Sequence, residues 1–349
     1  MSRYRSYYDE SRLVRQPLVT VCIATYNHEH YIAQAIRSVI GQKFNSTYQV
    51  VIADDASSDQ TLEICRAWQV RYPEKIKLFG WEDRKNVGMR NLEILFQNCN
   101  SKYVAFCDGD DYWTDVLKLQ KQVDYMEMHQ DCAICFHPVL IHWDEGIEPD
   151  SVYPRSRWRF KRTAPSLSEL LRTNYIQLNS ALYRWNADGR LFEAPLFEAM
   201  PADWMINLMH ARCGCIGYLD EIMAVYRRHD RGIWTGNFEQ EEWICKYGYL
   251  VVKFYRWLEI AFGVNCQCLI RRLVLATLGV DKRTKELLSI MCPSIWWVRL
   301  SGSIAIFYRC LMFFLGPWVA GLRRRYGIWR IVFVHRDRIS NLISKRSVT

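Results

Sequence analysis

The chain has 349 residues, with 46 Lys and Arg against 37 Asp and Glu, a formal net charge of +9. Half the residues are hydrophobic and 14% aromatic, enough for a sizeable packed core, which excludes a disordered or low-complexity protein. The charge is placed unevenly: residues 291–349 hold ten basic side chains and one acid, Asp337, so the whole +9 lies there and residues 1–290 are neutral.

Length argues for about two domains. The opening stretch, MSRYRSYYDESRLVRQP, is polar and lacks the apolar region of a signal peptide, so a cytoplasmic body is expected. Thirteen cysteines are scattered through apolar segments rather than spaced as a disulfide framework, and they read as buried thiols. The one CxxC pair, Cys132 and Cys135, has no second pair at zinc-binding spacing.

Residues 1–145 alternate between two periods. Apolar runs rich in Val and Ile at 18–24, 50–53, 76–79 and 103–107 predict strands. Helical patterns at 30–40, 61–71, 87–98 and 114–129 lie between and after them. This succession predicts βαβ units in an α/β fold with a mostly parallel sheet, whose ligands bind beyond the carboxyl ends of the strands. Residues 146–162, rich in Pro, Ser and Arg, read as an exposed excursion. Helices are expected near 167–172 and 202–211, with short strands around 216–219 and 223–226. From residue 239 onward the pattern is helical and dense in aromatics.

Polar residues stand at three of the four strand exits. Asp108, Asp110 and Asp111 put three carboxylates within four residues, a repulsive arrangement that a divalent cation relieves, since Mg²⁺ or Mn²⁺ shares carboxylate and phosphate oxygens. An acidic turn in which Asp111 or Thr114 caps a helix through YWTDVLKLQKQ also accounts for this spacing. Asp54 and Asp55 close the second strand, where a carboxylate can accept from a base N–H while Ser58 or Asp59 caps the helix at Thr61. Asn86 and Gly88 open the third helix with backbone N–H groups that can face an anion.

Taken together, VTVCIATYNHEHYIAQAIRSVIGQ (19–42), VVIADDASSDQT (50–61), NVG (86–88) and VAFCDGDDYW (104–113) resemble the family 2 glycosyltransferases of GT-A fold. The resemblance extends over about residues 17–237. It implies transfer of a sugar from a nucleoside diphosphate to an acceptor hydroxyl, aided by Mn²⁺ or Mg²⁺, usually with inversion at the anomeric carbon. It implies nucleotide contacts at Thr25, Tyr26, Asn27, Asp54, Asp55, Asn86, Gly88 and Asp108. Asp110 would hold the cation, with Asp108 or Asp111 sharing that role; the spacing does not decide between them. Asp203, at the start of a helix, resembles the acceptor-side acid and is the expected general base. Relatives often carry Glu-Asp or Gly-Asp there, whereas this chain has Ala202, so only the Asp transfers. In the segment 225–234, His229 resembles a loop histidine that completes the cation site or touches the diphosphate, with Arg227 or Arg228 neutralising phosphate.

Residues 301–322 form an apolar run long enough to cross a bilayer, but Arg309 and Gly316-Pro317 interrupt it. With Trp296, Trp297, Trp318 and Trp329 and the Arg323–Arg325 cluster, it reads as helices lying on an anionic cytoplasmic leaflet. A spanning helix or a packed extension, on the body or on a second copy, is the other reading. No nucleic-acid recognition motif accompanies the charge. The expected organisation is an N-terminal extension (1–16), a GT-A domain (17–238) and a helical basic, aromatic region (239–349). The acceptor would be a lipid-linked or surface glycan. A pyrophosphorylase would need a Gly-rich basic loop after the first strand, which Thr25-Tyr26-Asn27 does not supply. A degenerate, non-catalytic scaffold is the alternative of a different class.

Overall fold

The computed structural model describes residues 4–81, 90–144, 146, 148–155, 160, 163–185, 199, 201–230, 232, 240–267 and 269–270. Two compact units divide the chain: Met1–Phe197 with Ala202–Gly236, and Glu198–Pro201 with Asn237–Thr349. In chain order the first unit contains β1 (Tyr4–Ser6), β2 (Val19–Thr25), α1 (Ile32–Ile40), β3 (Tyr48–Asp54), α2 (Thr61–Arg71), β4 (Ile76–Trp81), α3 (Arg90–Gln97) and β5 (Tyr103–Phe106). There follow β6 (Tyr112–Trp113), α4 (Lys118–Met128), β7 (Cys132–Phe136), β8 (Val139–Trp143), β9 (Ser151–Tyr153), α5 (Leu167–Leu170), β10 (Leu182–Arg184), α6 (Ala202–Ala211), β11 (Cys215–Tyr218) and β12 (Ala224–Arg228).

Eight strands form one sheet in the order β1-β4-β3-β2-β5-β10-β7-β11. The pairs β4/β3, β3/β2, β2/β5 and β7/β11 are parallel; β1 and β10 run against their neighbours. The central strands are buried along almost their whole length and mostly apolar because both faces are covered. Val19, Val21 and Ile23 of β2, with Val50 and Ile52 of β3, share a core with Ile32, Ile36 and Val39 of α1 and with Leu119, Val123 and Met126 of α4. The alternate positions face the other way. There Thr20 bonds Ser101, Gln49 bonds Thr20 and the Asn98 carbonyl, and Cys22 meets Cys99 just beyond α3. A second sheet, β6-β12-β8-β9, stands apart from the first.

Several expectations change. The helix expected directly after the acidic turn is preceded by β6, whose Tyr112 and Trp113 pair with Val225 and Ala224 of β12. The N-terminal extension supplies β1, which adds to the β4 edge with Tyr4 opposite Trp81. The excursion at 146–162 contains β9, paired with β8. Cys132 and Cys215 are not thiols. They face each other across β7 and β11, with Cα atoms 4.3 Å apart, and form a disulfide. Of the other described cysteines, six are buried and Cys213 is exposed.

In the second unit, α7 (Gln240–Phe262) buries Val252, Phe254 and Leu258. Gly263 takes the left-handed conformation (φ 67°) that ends helices without a Cβ penalty. Among the described residues no helix is long and apolar enough to cross a membrane. Asn86 and Gly88, and the basic aromatic tail from residue 271, lie outside the described residues.

Candidate functional site

The loops after β2, β3 and β5 leave the sheet side by side, and backbone bonds tie them together. Asp55 N–H donates to the Thr25 carbonyl (2.9 Å) and Gly109 N–H to the Ala24 carbonyl (2.8 Å). The turn after β3 is built around Asp54, which is fully buried and accepts from Ser57 Oγ (2.5 Å) and Ser57 N–H (3.0 Å). Burial pushes Asp54 up to about 6, against the pull of those Ser57 bonds. Both its oxygens are occupied inside the turn, while Asp55 follows at the sheet end. Asn27 adopts a left-handed backbone (φ 54°), which its short amide tolerates, and its Oδ1 accepts from Ser58 N–H at 2.8 Å. His28 N–H donates to Thr61 Oγ1 (2.8 Å), so the loop carrying Thr25, Tyr26, Asn27 and His28 is pinned to the start of α2. Asp59 accepts from Thr61 N–H (3.0 Å), the capping role expected of it.

The acidic loop presses on this platform. A Cβ on Gly109 would sit 2.5 Å from Thr25 Oγ1 and 2.8 Å from His28 Nδ1, so only glycine fits between Asp108 and Asp110. The three carboxylates then part company. Asp111, 2% exposed, turns inward: Oδ1 accepts from Arg227 N–H (2.9 Å) and Oδ2 from Asn179 Nδ2 (2.8 Å). Burial, and then Asp110 and Asp108, raise Asp111 well above the usual carboxylate range. Asp110 instead faces two imidazoles, with Oδ2 3.2 Å from His229 Nε2 and 3.8 Å from His28 Nε2. Burial alone would raise Asp110, but the two histidines outweigh it and hold it low. Burial also pulls His28 below its ordinary value, opposed by Asp110 and reinforced by His229. Asp108 is pushed up to about 7 by burial, then by Asp110 and Asp203.

Arg227 clamps this loop. Its Nε donates to the Asp110 carbonyl (2.8 Å), one terminal nitrogen to Asp144 (2.8 Å) and the other to Gln34 (2.7 Å). Its guanidinium carbon lies 4.7 Å from the Tyr31 ring centre and 5.1 Å from that of Tyr112. Three of its five N–H donors are thus bonded to protein groups. Arg228 packs its guanidinium over Trp143 and Tyr226.

Asp203 stands in the first turn of α6. Asn174 Nδ2 donates to its Oδ2 (2.8 Å), Asn207 Nδ2 donates to Asn174 Oδ1 (3.0 Å), and Tyr183 OH donates to Asn207 Oδ1 (2.6 Å). Burial pushes Asp203 up to about 6, tempered by the Trp204 N–H and Asn174. That value suits a base working near neutrality. Sequence reasoning did not single out Asn174, Asn207 or His28. The i, i+4 spacing of Asp203 and Asn207 on one helix face was a usable signal, as was the position of His28 directly after Thr25-Tyr26-Asn27.

The donor atoms of His28, Asp110 and His229 lie within 4.8 Å of one another. Bonds of about 2.0–2.2 Å from one ion span such a set after a small inward adjustment, so these residues fit a divalent cation.

Residues 20–190 match the family model described as glycosyl transferase family 2. Over 217 residues, 62% of the chain, it is 38% identical to the uncharacterized protein Rv1520 of Mycobacterium tuberculosis. That match covers 60% of the relative, so the chain spans less than two thirds of its length. The structure is similar to that of mannosyltransferase PcManGT from Pyrobaculum calidifontis in complex with GDP-Man and Mn²⁺ (TM-score 0.51, 16% identity, 95% of this chain and 89% of that one). It is also similar to S. aureus TarS in complex with UDP-GlcNAc (TM-score 0.50, 17% identity, 80% of this chain and 87% of that one). At these identities the likeness establishes a GT-A-type fold.

Proposed function

The chain carries a glycosyl transferase family 2 domain over residues 20–190, and we propose on that premise that it moves a sugar from a nucleoside diphosphate to an acceptor hydroxyl with Asp203 as base. The observation that carries this reading is the pairing of two unlike acid sites. Asp203, held by Asn174, is close enough to raise Asp108, while Asp110 is held ionised beside two imidazoles. One site takes a proton; the other faces a diphosphate.

In this reaction Asp203 accepts the proton of the acceptor hydroxyl as its oxygen attacks the anomeric carbon. The bond from that carbon to the diphosphate oxygen breaks, and the diphosphate leaves with the electron pair. Attack opposite the leaving group inverts the anomeric centre. A divalent cation held by Asp110 and His229 would supply charge stabilisation to the diphosphate. Thr25, Tyr26 and Asp55 serve the nucleoside, Asp108 the ribose or the cation, and Asp54 and Asn27 shape the turns that present them. Asp111 serves by holding the loop to β12, and Arg227 by clamping it. The donors seen in the structural neighbours, UDP-GlcNAc and GDP-Man, support a nucleoside diphosphate sugar as substrate class. The basic aromatic tail supports an acceptor at an anionic membrane surface, a lipid-linked or surface glycan.

A panel of nucleotide-sugars with Mn²⁺ or Mg²⁺ tests this, scored by donor hydrolysis and thermal shift. We expect a shift with at least one donor, lost in Asp110→Ala, and turnover lowered on the order of 10²–10⁴-fold in Asp203→Asn. If no donor shifts the protein, or Asp203→Asn retains full turnover, the reading fails. Truncation after Pro293 should move the protein from the membrane pellet to the supernatant; equal pelleting would refute the membrane role.

A further inference from the structure

We propose that His28 is a third protein ligand of the cation that Asp110 and His229 hold, and that the resulting set of two imidazoles and one carboxylate selects first-row transition ions over Mg²⁺. The inference rests on the glycosyl-transfer reading only for the purpose of the ion, since the ligand set is drawn from this chain's own geometry.

His28 is placed for ligation from both sides of its ring. On one side Nδ1 lies 3.2 Å from Thr25 Oγ1; on the other Nε2 lies 3.8 Å from Asp110 Oδ2. With the Nδ1 proton donated to the Thr25 hydroxyl, the free lone pair is the one on Nε2, directed at the carboxylate that His229 Nε2 also meets at 3.2 Å. A second partner that fixes a histidine's tautomer and ring angle is the usual support of a metal-bound imidazole. The backbone is fixed as well, by the His28 N–H bond to Thr61 Oγ1, and the Gly109 backbone packs against Nδ1 so closely that no Cβ fits. The two imidazole planes stand at 89° with centres 6.2 Å apart, so they approach the carboxylate from different directions. The side chain is 17% exposed and that of Asp110 21%, which leaves the cluster open toward a ligand.

The chemistry of the donors sets the ion. Mg²⁺ takes oxygen ligands and retains its waters, whereas imidazole nitrogen suits the first-row transition ions, Co²⁺ more than Mn²⁺. A site with one carboxylate and two imidazoles therefore binds Co²⁺ more tightly than Mn²⁺, and both more tightly than Mg²⁺.

The test uses the full chain with the metals alone and then with UDP or GDP. Binding of Co²⁺ is followed by its visible absorption, and Mn²⁺ by electron paramagnetic resonance of the free ion, with Mg²⁺ as competitor. His28→Gln keeps a polar group beside Thr25 and removes the imidazole. It should weaken Co²⁺ and Mn²⁺ on the order of 10–100-fold, the usual scale for a disturbed metal environment, and narrow the gap to Mg²⁺. Spin-echo modulation of Mn²⁺ bound to the wild type counts coupled imidazole nitrogens and needs no variant; two are expected. A single nitrogen, or His28→Gln binding like wild type while Asp110→Ala loses the ion, overturns the His28 assignment and leaves the reaction reading standing. A wild type that turns over no nucleotide-sugar overturns the reaction reading, and the nitrogen count still decides His28.

Discussion

Gly109→Ala is the smallest change that tests how the acidic loop is seated. The added Cβ would lie 2.5 Å from Thr25 Oγ1, 2.8 Å from Thr25 Cβ and 2.8 Å from His28 Nδ1. Ordinary contact begins at 3.4 Å, so the loop and the platform must separate by about 0.9 Å. Neither neighbour yields cheaply. Thr25 is a buried, β-branched residue at the end of a central strand, and His28 is pinned through its backbone to Thr61. Overpacking of this kind costs about 1–3 kcal/mol, more than the 0.4–1 kcal/mol that alanine returns by restricting the unfolded chain. The expected fall in Tm is roughly 2–4 °C for each kcal/mol lost. The functional effect is larger than the structural one, because a misplacement of about 1 Å costs on the order of 10²-fold in rate. Scanning calorimetry and turnover with the best donor measure both. A variant that keeps wild-type turnover and cation affinity would show that the contact between Gly109 and the Thr25 loop does not set the site.

Asn174→Ala removes a donor to the ionised form of Asp203, whose burial already pushes it up to about 6. As the base must be ionised, kcat/KM falls as pH drops below that value, and the acid limb of the variant should move up by roughly half to one unit, the worth of one hydrogen bond. A limb that stays in place removes Asn174 from the base's support. The raised Asp203 value also means that its contribution to stability declines as pH rises from 3.8 to about 6, because the folded form holds the proton longer. Asn179→Ala leaves the buried Asp111 without one of its two donors and should cost about 1–3 kcal/mol in denaturant unfolding; an unchanged midpoint would contradict the inward role of Asp111. Arg227→Lys cannot serve Asp110, Asp144 and Gln34 from one ammonium, and stability should fall by at least about 1.5 kcal/mol, the low end for one charged hydrogen bond. A rise in donor KM with stability intact would instead assign Arg227 to the diphosphate.

The sheet was legible wherever a strand is buried on both faces: the runs at 18–24, 50–53, 76–79 and 103–107 fall on β2 to β5 within a few residues. Tyr112 and Trp113 were not, because a two-residue strand carries no period of its own and exists only through β12, more than a hundred residues later. The apolar stretch at 178–183 leads into β10, but its antiparallel place between β5 and β7 was not legible, since pairing direction leaves no trace in composition. The Cys132–Cys215 bond depends on register between parallel neighbours 83 residues apart. At the site, the motifs located the carboxylates but could not sort them. Asp54 is taken up by Ser57 within its own turn, whereas Asp111 and Asp110 part only because Asn179 and the two histidines arrive from elsewhere in the chain. Arg227 shows the same limit: nothing in the local sequence announces that it also braces the loop through the Asp110 carbonyl, Asp144 and Gln34.

The pairing of β6 with β12 also sets a timetable. His229 is 119 residues beyond Asp110, and the N–H that holds Asp111 is 116 residues beyond it. The family-matched stretch 20–190 contains the acidic loop but neither β12 nor Asp203. At synthesis rates of about 5–20 residues per second, a nascent chain spends roughly ten seconds with the loop made and its holders still to come. Throughout that interval the neighbouring carboxylates lack His229, the Arg227 N–H and Asp203's helix. The holders of the acidic loop therefore arrive late and in sequence, Asn179 first and β12 with His229 last.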